Sequence, residues 1–165
     1  MAVNLTPGDL AAPGLVVETR RVLDDTGFDA AYLCVEVTET AVLEDVEYSR
    51  PALDGLHALG VSVAVDDFGT GYSSLNHLRQ LPVDIVKIDR SFIDGLGVEL
   101  EDSTVVAAVV GLAHALSLSV VAEGVETAAQ LSALRDLGCE FAQGYYLSRP
   151  LPAEKLAEIR GKVSG

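Results

Sequence analysis

Short apolar runs alternate with longer helical patterns along the 165-residue chain, and this alternation constrains the fold more than any other feature. Six runs have the character of strands, and each is followed by helical spacing or a helical turn. Such an order predicts a parallel sheet with helices outside it. The predicted strands are residues 3–5, 31–38, 61–67, 84–88, 118–122 and 141–145, and the predicted helices are residues 14–25, 48–59, 74–78, 104–116, 128–137 and 153–162.

Three of these runs read VSVAV, VDIVKI and LSVVA, which is typical of strands buried on both faces. No linker or low-complexity tract separates the elements, so we expect one α/β domain. The pattern alone is compatible with a doubly wound sheet and with a (β/α)8-type barrel.

Polar residues at the strand ends favour the barrel. The carboxyl ends of all barrel strands meet on one face, whereas the functional residues of a doubly wound sheet gather at one switch point. Every predicted strand has a polar or acidic group in or just after its end. These residues are Asn4, Glu36, Glu39, Asp66, Asp67, Lys87, Asp89, Glu123, Glu126 and Gln143.

Acids that converge in this way need a counter-charge, because neighbouring carboxylates repel one another near neutral pH. Mg²⁺ and Mn²⁺ prefer carboxylate, amide and water oxygens, and the adjacent pair Asp66 and Asp67 suits two ions. Two such ions can generate a hydroxide and stabilise in-line displacement at phosphorus, while Lys87 adds a fixed positive charge. The pattern therefore predicts metal-assisted phosphodiester hydrolysis. Any one of these acids, taken alone, is more often a solvated strand end or a helix cap.

Charge and composition exclude other classes. With 25 acidic residues against 11 Lys and Arg, the net charge is −14, which argues against a DNA-binding surface. No run approaches the roughly 20 apolar residues that cross a bilayer. The first residues lack the pattern of a secretory signal, so we expect a cytoplasmic location. Cys34 and Cys139 are interpreted as buried reduced thiols.

Two local patterns invite other interpretations that their surroundings do not support. The sequence DFGTG at residues 67–71 is similar to a dinucleotide fingerprint, but Ser74 replaces the third glycine and the following helix is short. The DFG triplet occurs in protein kinases, yet no kinase Gly-rich loop or catalytic loop accompanies it. The three histidines, His57, His77 and His114, lack metal-ligand spacing and are predicted to be packing or surface residues.

Taken in order, the strand-end motifs resemble those of the EAL domain family. They are VNLT (3–6), VEVTE (35–39), DDFGTGYSS (66–74), VKID (86–89), AEGVE (122–126) and QGYYLSRP (143–150). The resemblance identifies residues 1–165 as a partial EAL domain, from the third barrel strand to the C-terminal helix. It implies a modified TIM (β/α)8 barrel, here with about six of eight strands.

The resemblance also implies an activity, which is the hydrolysis of cyclic di-GMP to linear pGpG at a two-ion Mg²⁺ or Mn²⁺ site. Lys87 would hold the attacking water, and Glu126 and Gln143 would complete the metal and water network. Glu39 would brace the loop from Phe68 to Ser74, which the family links to dimerisation. The implied metal ligands are Asn4, Glu36, Asp66, Asp67 and Glu123, and the implied substrate-binding residues are Asp89, Arg149 and Pro150.

One departure limits this expectation. The 165 residues contain no Glu-Ala-Leu, the motif that supplies a further metal ligand, and the only Glu-x-Leu begins at Glu154 in the last predicted helix. We therefore expect the chain alone to have little activity and to expose open strand edges near residues 3–5 and 141–145. A phosphodiesterase, a non-catalytic cyclic di-GMP-binding module and an interaction module that pairs through open edges remain as alternatives.

Overall fold

A parallel sheet forms the centre of the molecule in a computed structural model, which describes residues 1–43, 46–69, 78–96, 100–152 and 155. Each described strand pairs with the next one along the chain, so spatial order follows sequence order. The predicted α/β fold with a parallel sheet is confirmed. The strands are β1 (Ala2–Leu5), β2 (Cys34–Thr38), β3 (Ser62–Phe68), β4 (Ile85–Ile88), β5 (Ser119–Ala122) and β6 (Phe141–Ala142).

Helices connect these strands. Four of them correspond to predicted helices, with ends that differ by a few residues, and three short ones lie directly after strand ends, where periodicity gives no signal. They are α1 (Pro7–Leu10), α2 (Leu15–Thr26), α3 (Glu39–Leu43), α4 (Val46–His57), α5 (Arg90–Ile93), α6 (Leu100–Ala115) and α7 (Ala128–Asp136). Among the described helices, none is long and apolar enough to cross a membrane.

Two predicted strands were too long. The strand predicted from residue 31 begins at Cys34, because Asp29 caps a short 3-10 turn over Ala30–Tyr32 by accepting the N–H of Ala31 at 3.0 Å. The strand predicted to residue 145 ends at Ala142, and the chain then turns through Gly144. The helices predicted over 74–78 and 153–162 lie outside the described residues, except for residues 78 and 155.

The apolar core has two parts that meet along the middle of the sheet. One part packs α6 and α7 against β3 to β6 and includes Val86, Val120 and Leu134. The other packs α2 and α4 against β1 to β3 and includes Val63 and Leu56. Full burial of such a side chain contributes about 1.5–3 kcal/mol. Both parts fix the strands, so the side chains at the carboxyl ends of the strands are held by a rigid support.

Candidate active site

Lys87 lies at the centre of a cluster of acids. It belongs to β4, is only 6% exposed and uses its ammonium to contact three carboxylates. Its Nζ lies 3.0 Å from Glu36 Oε1, 3.0 Å from Asp66 Oδ1 and 2.7 Å from Glu123 Oε1. These acids come from β2, from β3 and from the residue after β5. Consecutive parallel strands therefore bring together groups that are far apart in sequence.

Electrostatics keep this lysine charged. Burial alone would lower the pKa of Lys87, but hydrogen bonds to Glu123, Glu36 and Asp66 outweigh burial and raise that pKa above its usual value. The pKa of Glu123 is raised by burial, although its contact with Lys87 opposes the shift. Because three carboxylates outnumber one ammonium, the cluster keeps an excess of negative charge. Such a cluster attracts further cations.

A β-bulge brings two adjacent aspartates to the same strand end. In the pairing of β3 with β4, Val65 aligns with Val86 and Phe68 with Ile88, so β3 carries one extra residue. Within the bulge, Asp67 has a φ of 55°, in the left-handed region that few non-glycine residues adopt. In a regular strand, adjacent side chains point to opposite faces of the sheet. The bend at Asp67 interrupts this alternation.

Asp67 is exposed and lies near other acids. Burial of part of its carboxyl group raises the pKa of Asp67, and the negative charges of Asp66 and Asp89 raise it further. Its backbone N–H donates to Asp66 Oδ1 at 3.0 Å. The carboxyl group of Asp67 therefore stands in a negative field on the outer side of the lysine cluster.

Glu39 contacts the start of the loop that follows these aspartates. It is the first residue of α3, is 3% exposed and accepts the N–H of Gly69 at 2.8 Å through Oε2. Gly69 has a φ of 99°, and a Cβ there would lie 3.1 Å from Cε2 of Phe92. The loop residue bound by Glu39 is therefore fixed by conformation and by packing. Residues 70–77 of this loop lie outside the described residues.

A cavity of about 220 Å³ opens beside Glu123. Glu126 lies on its wall and pairs with Arg90, whose Nη2 is 2.9 Å from Glu126 Oε1. The cavity brings two further predicted site residues, Glu126 and Gln143, next to the lysine cluster. Its lining consists of Arg90, Glu123, Gly124, Glu126, Gln143, Gly144 and Tyr145.

The other predicted site residues lie around this centre. Asn4 is exposed on β1 and aligns with Glu36 in the strand pairing. Asp89 caps α5, and its Oδ1 accepts the Ser91 backbone N–H at 3.0 Å and hydroxyl at 2.5 Å; the hydroxyl bond is the main reason that the pKa of Asp89 is lowered. The guanidinium of Arg149 lies 4.5 Å from the ring centroid of Tyr145, and Pro150 is exposed.

The donor set suits hard cations, although it is not preformed for one. Carboxylate and amide oxygens are the ligands that Mg²⁺ and Mn²⁺ prefer. Within the described ranges, no three His, Cys, Asp or Glu side chains are arranged as a ready metal centre. The oxygens of Glu36, Asp66 and Glu123 contact Lys87 instead. A divalent ion would therefore have to share these oxygens with the lysine or turn them away from it.

The sequence did not single out Arg90 or Tyr145. Arg90 follows Asp89 directly, and its stem packs on Gly124, where a Cβ would lie 2.5 Å from Arg90 Cγ. Gly124, next to Glu123, could have indicated this contact from the sequence, because a glycine often marks the close approach of another group to the backbone. Tyr145 stands in a turn whose position depends on contacts with the loop after β5.

Together the fold and the site define an α/β protein of the TIM-barrel-like type, with an acidic centre at the carboxyl ends of parallel strands. The family model of the EAL domain matches residues 1–150. The chain belongs to the EAL domain family.

Three similar proteins have cyclic di-GMP in their names or descriptions. The chain is 47% identical over 159 residues to the cyclic di-GMP phosphodiesterase NbdA of Pseudomonas aeruginosa, covering 96% of this chain and 20% of that protein. It superimposes on the PaMucR phosphodiesterase in a c-di-GMP complex with a TM-score of 0.89 and 46% identity, covering 94% of this chain and 63% of that one.

A third structure, the calcium/cy-diGMP complex of Klebsiella pneumoniae BlrP1, has a TM-score of 0.84 and 35% identity, covering 90% of this chain and 38% of that one. The chain thus spans about a fifth of the length of NbdA and under two thirds of the PaMucR chain.

Proposed function

We propose that this chain forms the larger part of a metal-dependent phosphodiesterase domain that hydrolyses cyclic di-GMP to linear pGpG. The observation that carries the proposal is the contact of Lys87 with three strand-end carboxylates. An acidic centre with a fixed cation suits a reaction in which negative charge develops on phosphoryl oxygens. The similarity to NbdA and to the PaMucR complex supports the choice of substrate.

The residues proposed to hold the ions share oxygen donors and positions at strand ends. Mg²⁺ or Mn²⁺ bound there would supply Lewis acidity and lower the pKa of a bound water. The calcium complex of the BlrP1 relative supports a divalent ion. The proposed ligands are Asn4, Glu36, Asp66, Asp67 and Glu123.

Lys87 has a separate task in this proposal. Its raised pKa keeps the ammonium protonated, so it donates hydrogen bonds and does not act as a base. It orients the attacking water and opposes the charge that develops at phosphorus. Glu126 and Gln143, on the cavity wall, hydrogen-bond the water network. The reaction adds one water across one P–O bond of the ring and opens the cyclic dinucleotide. Asp89, Arg149 and Pro150 are proposed to contact the substrate.

We propose that these 165 residues alone turn over little substrate, because they contain no Glu-Ala-Leu. A metal site that lacks one carboxylate holds its ions poorly, and two-ion chemistry needs both ions in place. The test compares cyclic di-GMP cleavage, with Mg²⁺ or Mn²⁺, by the chain alone and by the chain joined to a segment with two strands and Glu-Ala-Leu from a complete relative. Lys87→Gln in the joined protein is the matched inactive control.

We expect cleavage to pGpG by the joined protein and little by the chain alone. Equal rates for the two proteins would show that the missing glutamate is dispensable. A folded joined protein that binds cyclic di-GMP without cleaving it would favour the second candidate, a non-catalytic binding module. One observation supports that candidate: the Lys87 ammonium contacts all three carboxylates and so offsets part of their negative charge.

A homodimer is a further part of the proposal, through the loop from Phe68 to Ser74 or through the ends of the sheet. Most of that loop lies outside the described residues. The end strands expose Val3 and Phe141, which are 41% and 57% exposed. Light scattering after size exclusion tests the proposal, and a monomer at all concentrations would contradict it. The cytoplasmic location stays a prediction.

A further inference from the structure

Gln130 is a buried polar side chain that joins two segments next to the candidate site. It is 6% exposed and lies in the first turn of α7. Its Oε1 accepts the N–H groups of Glu126 at 2.8 Å and Thr127 at 2.9 Å. Its Nε2 donates to the carbonyl oxygens of Ile93 at 3.0 Å and Asp94 at 3.4 Å, 37 and 36 residues earlier in the chain. One amide group therefore connects the end of α5 to the loop after β5.

Helix capping explains only the acceptor half of these contacts. Thr127 and Gln130 form a capping box at the start of α7, in which the Thr127 hydroxyl accepts the Gln130 N–H at 3.2 Å. Glutamate serves in such a box as well as glutamine, because the box uses only the side-chain oxygen. The Nε2 group of Gln130 has no part in it. The donation to α5 is therefore a separate feature, and it requires an amide at this position.

The contacts of Gln130 complete a ring of four residues. Arg90 Nε lies 3.2 Å from Asp94 Oδ1, and Arg90 Nη2 lies 2.9 Å from Glu126 Oε1. Gln130 closes the ring, since it donates to Asp94 O and accepts from the Glu126 N–H. The side chains of Arg90 and Glu126 are 54% and 41% exposed, and exposed ion pairs contribute little to stability. The buried amide therefore provides the more rigid connection between α5 and the loop.

We propose that Gln130 is a positioning residue, which fixes α5 against the loop after β5 and so sets the place of the Glu126 carboxylate on the cavity wall. The inference rests on the proposed function, in which Glu126 hydrogen-bonds the water network. Gln130 contacts neither substrate nor metal in this role. It acts through Glu126, whose backbone it holds while Arg90 holds the carboxylate.

Gln130→Glu separates positioning from capping. The variant keeps an oxygen for the capping box and replaces the donor to α5 by a second oxygen, which the Ile93 carbonyl repels. The NMR signals of the Arg90 guanidinium report the result in the 165-residue chain without metal or substrate, and Glu126→Ala gives the signals of Arg90 without its partner. We expect the Arg90 signals of Gln130→Glu to move towards those of Glu126→Ala. Unchanged signals would mean that Gln130 is only a helix cap and would overturn the proposal.

Two further variants separate positioning from a general loss of stability. Leu53→Ala removes a fully buried side chain from the part of the core that packs α4. We expect it to lower the Tm and to leave the Arg90 signals unchanged, and a shift as large as that of Gln130→Glu would overturn the positioning role. If Gln130→Glu does not fold, Gln130→Met takes its place, because methionine fills the space without either hydrogen bond. Its Arg90 signals are expected to move in the same direction, and unchanged signals would again overturn the proposal.

Cleavage by the joined protein tests whether Gln130 acts through Glu126. We expect Gln130→Glu to lower kcat by about 10-fold, as for residues that orient the groups of a metal site, and to change KM less. In a Glu126→Ala background the same substitution should cause no further loss, because the group that it positions is absent. An equal loss in both backgrounds would overturn the assignment. If no joined protein cleaves cyclic di-GMP, the proposed function fails, whereas the Arg90 signals still decide whether Gln130 positions Glu126.

Discussion

The ammonium of Lys87 lies 2.7 Å from Glu123 Oε1, which joins the end of β4 to the residue that directly follows β5. Three residues further along each segment, Arg90 pairs with Glu126 at 2.9 Å. One of these cations is buried and the other is exposed, and both fix the same acidic loop. This double attachment holds the loop after β5 and leads to predictions about stability and metal binding.

Replacing the buried cation tests the electrostatic balance of the cluster. In Lys87→Met, three carboxylates lose their counter-charge, and removing one partner of a buried ion pair costs about 3–5 kcal/mol. We expect that loss of unfolding free energy at neutral pH, measured by urea titration, and partial recovery when Mn²⁺ is added. The control is Arg135→Met at an exposed position of α7. An unfolding midpoint equal to that of the unsubstituted chain would contradict the balance described above.

Gln130 hydrogen-bonds the backbone of the loop after β5. It is buried, its Nε2 donates to Ile93 O at 3.0 Å, and its Oε1 accepts the N–H groups of Glu126 at 2.8 Å and Thr127 at 2.9 Å. Gln130→Leu removes the acceptor of the Glu126 and Thr127 N–H groups, while Ile93 O keeps the Leu96 N–H, and the loss of such a hydrogen bond costs about 0.5–1.5 kcal/mol. We expect a lower Tm and faster amide exchange at Glu126. Ser132→Ala, an exposed change on the same helix, should alter neither quantity.

Replacing each of two glycines by alanine should have opposite effects on stability. A Cβ at Gly144 would lie 2.2 Å from the N and O atoms of Val125, so Gly144→Ala must shift backbone, and such overpacking costs about 1–3 kcal/mol. Gly111 is exposed on α6 with no neighbour within 4 Å, and alanine there should stabilise the helix by about 0.5–1 kcal/mol. The Tm values of both variants test these expectations. A stabilised Gly144→Ala variant would contradict the close contact with Val125.

Glu140 directly precedes β6, at the end of the strands opposite the candidate site, and its lowered pKa predicts a pH-dependent stability. Burial alone would raise the pKa of Glu140, but hydrogen bonds from its own backbone N–H, from the Val120 N–H and from His114 outweigh burial, and the pKa is lowered. A depressed folded pKa means that the stabilisation is present above the unfolded pKa and is lost as pH falls through the folded one.

Glu140→Gln should therefore unfold more easily than the unsubstituted chain at neutral pH and equally easily at strongly acid pH. The difference should be below about 1 kcal/mol, because the pair is more than one-third exposed. Urea titrations across this pH range measure it. Asp24→Asn, an exposed change on α2, is the control, and a difference that persists at acid pH would be inconsistent with the linkage.

The sequence predicted the parallel sheet and the acids at its ends because both follow from local order: apolar runs mark the strands, and parallel strands present their ends together. It did not predict that Lys87 contacts three acids, since that depends on register and on the bulge at Asp67. His57 and His114 were predicted to be packing or surface residues, and each contacts an acid 26 or 27 residues further along. Such pairs depend on tertiary structure that spacing does not reveal.

Divalent-ion binding tests the central claim most directly, which is that the acids around Lys87 and the bulge hold metal. Calorimetric titration of the chain with Mn²⁺ is compared with Asp66→Asn, Asp67→Asn and the control Asp54→Asn, an exposed acid on α4 paired with Arg50. We predict measurable binding by the unsubstituted chain and the control, and clearly weaker binding by the two cluster variants. Equal affinity in all four proteins would contradict the claim.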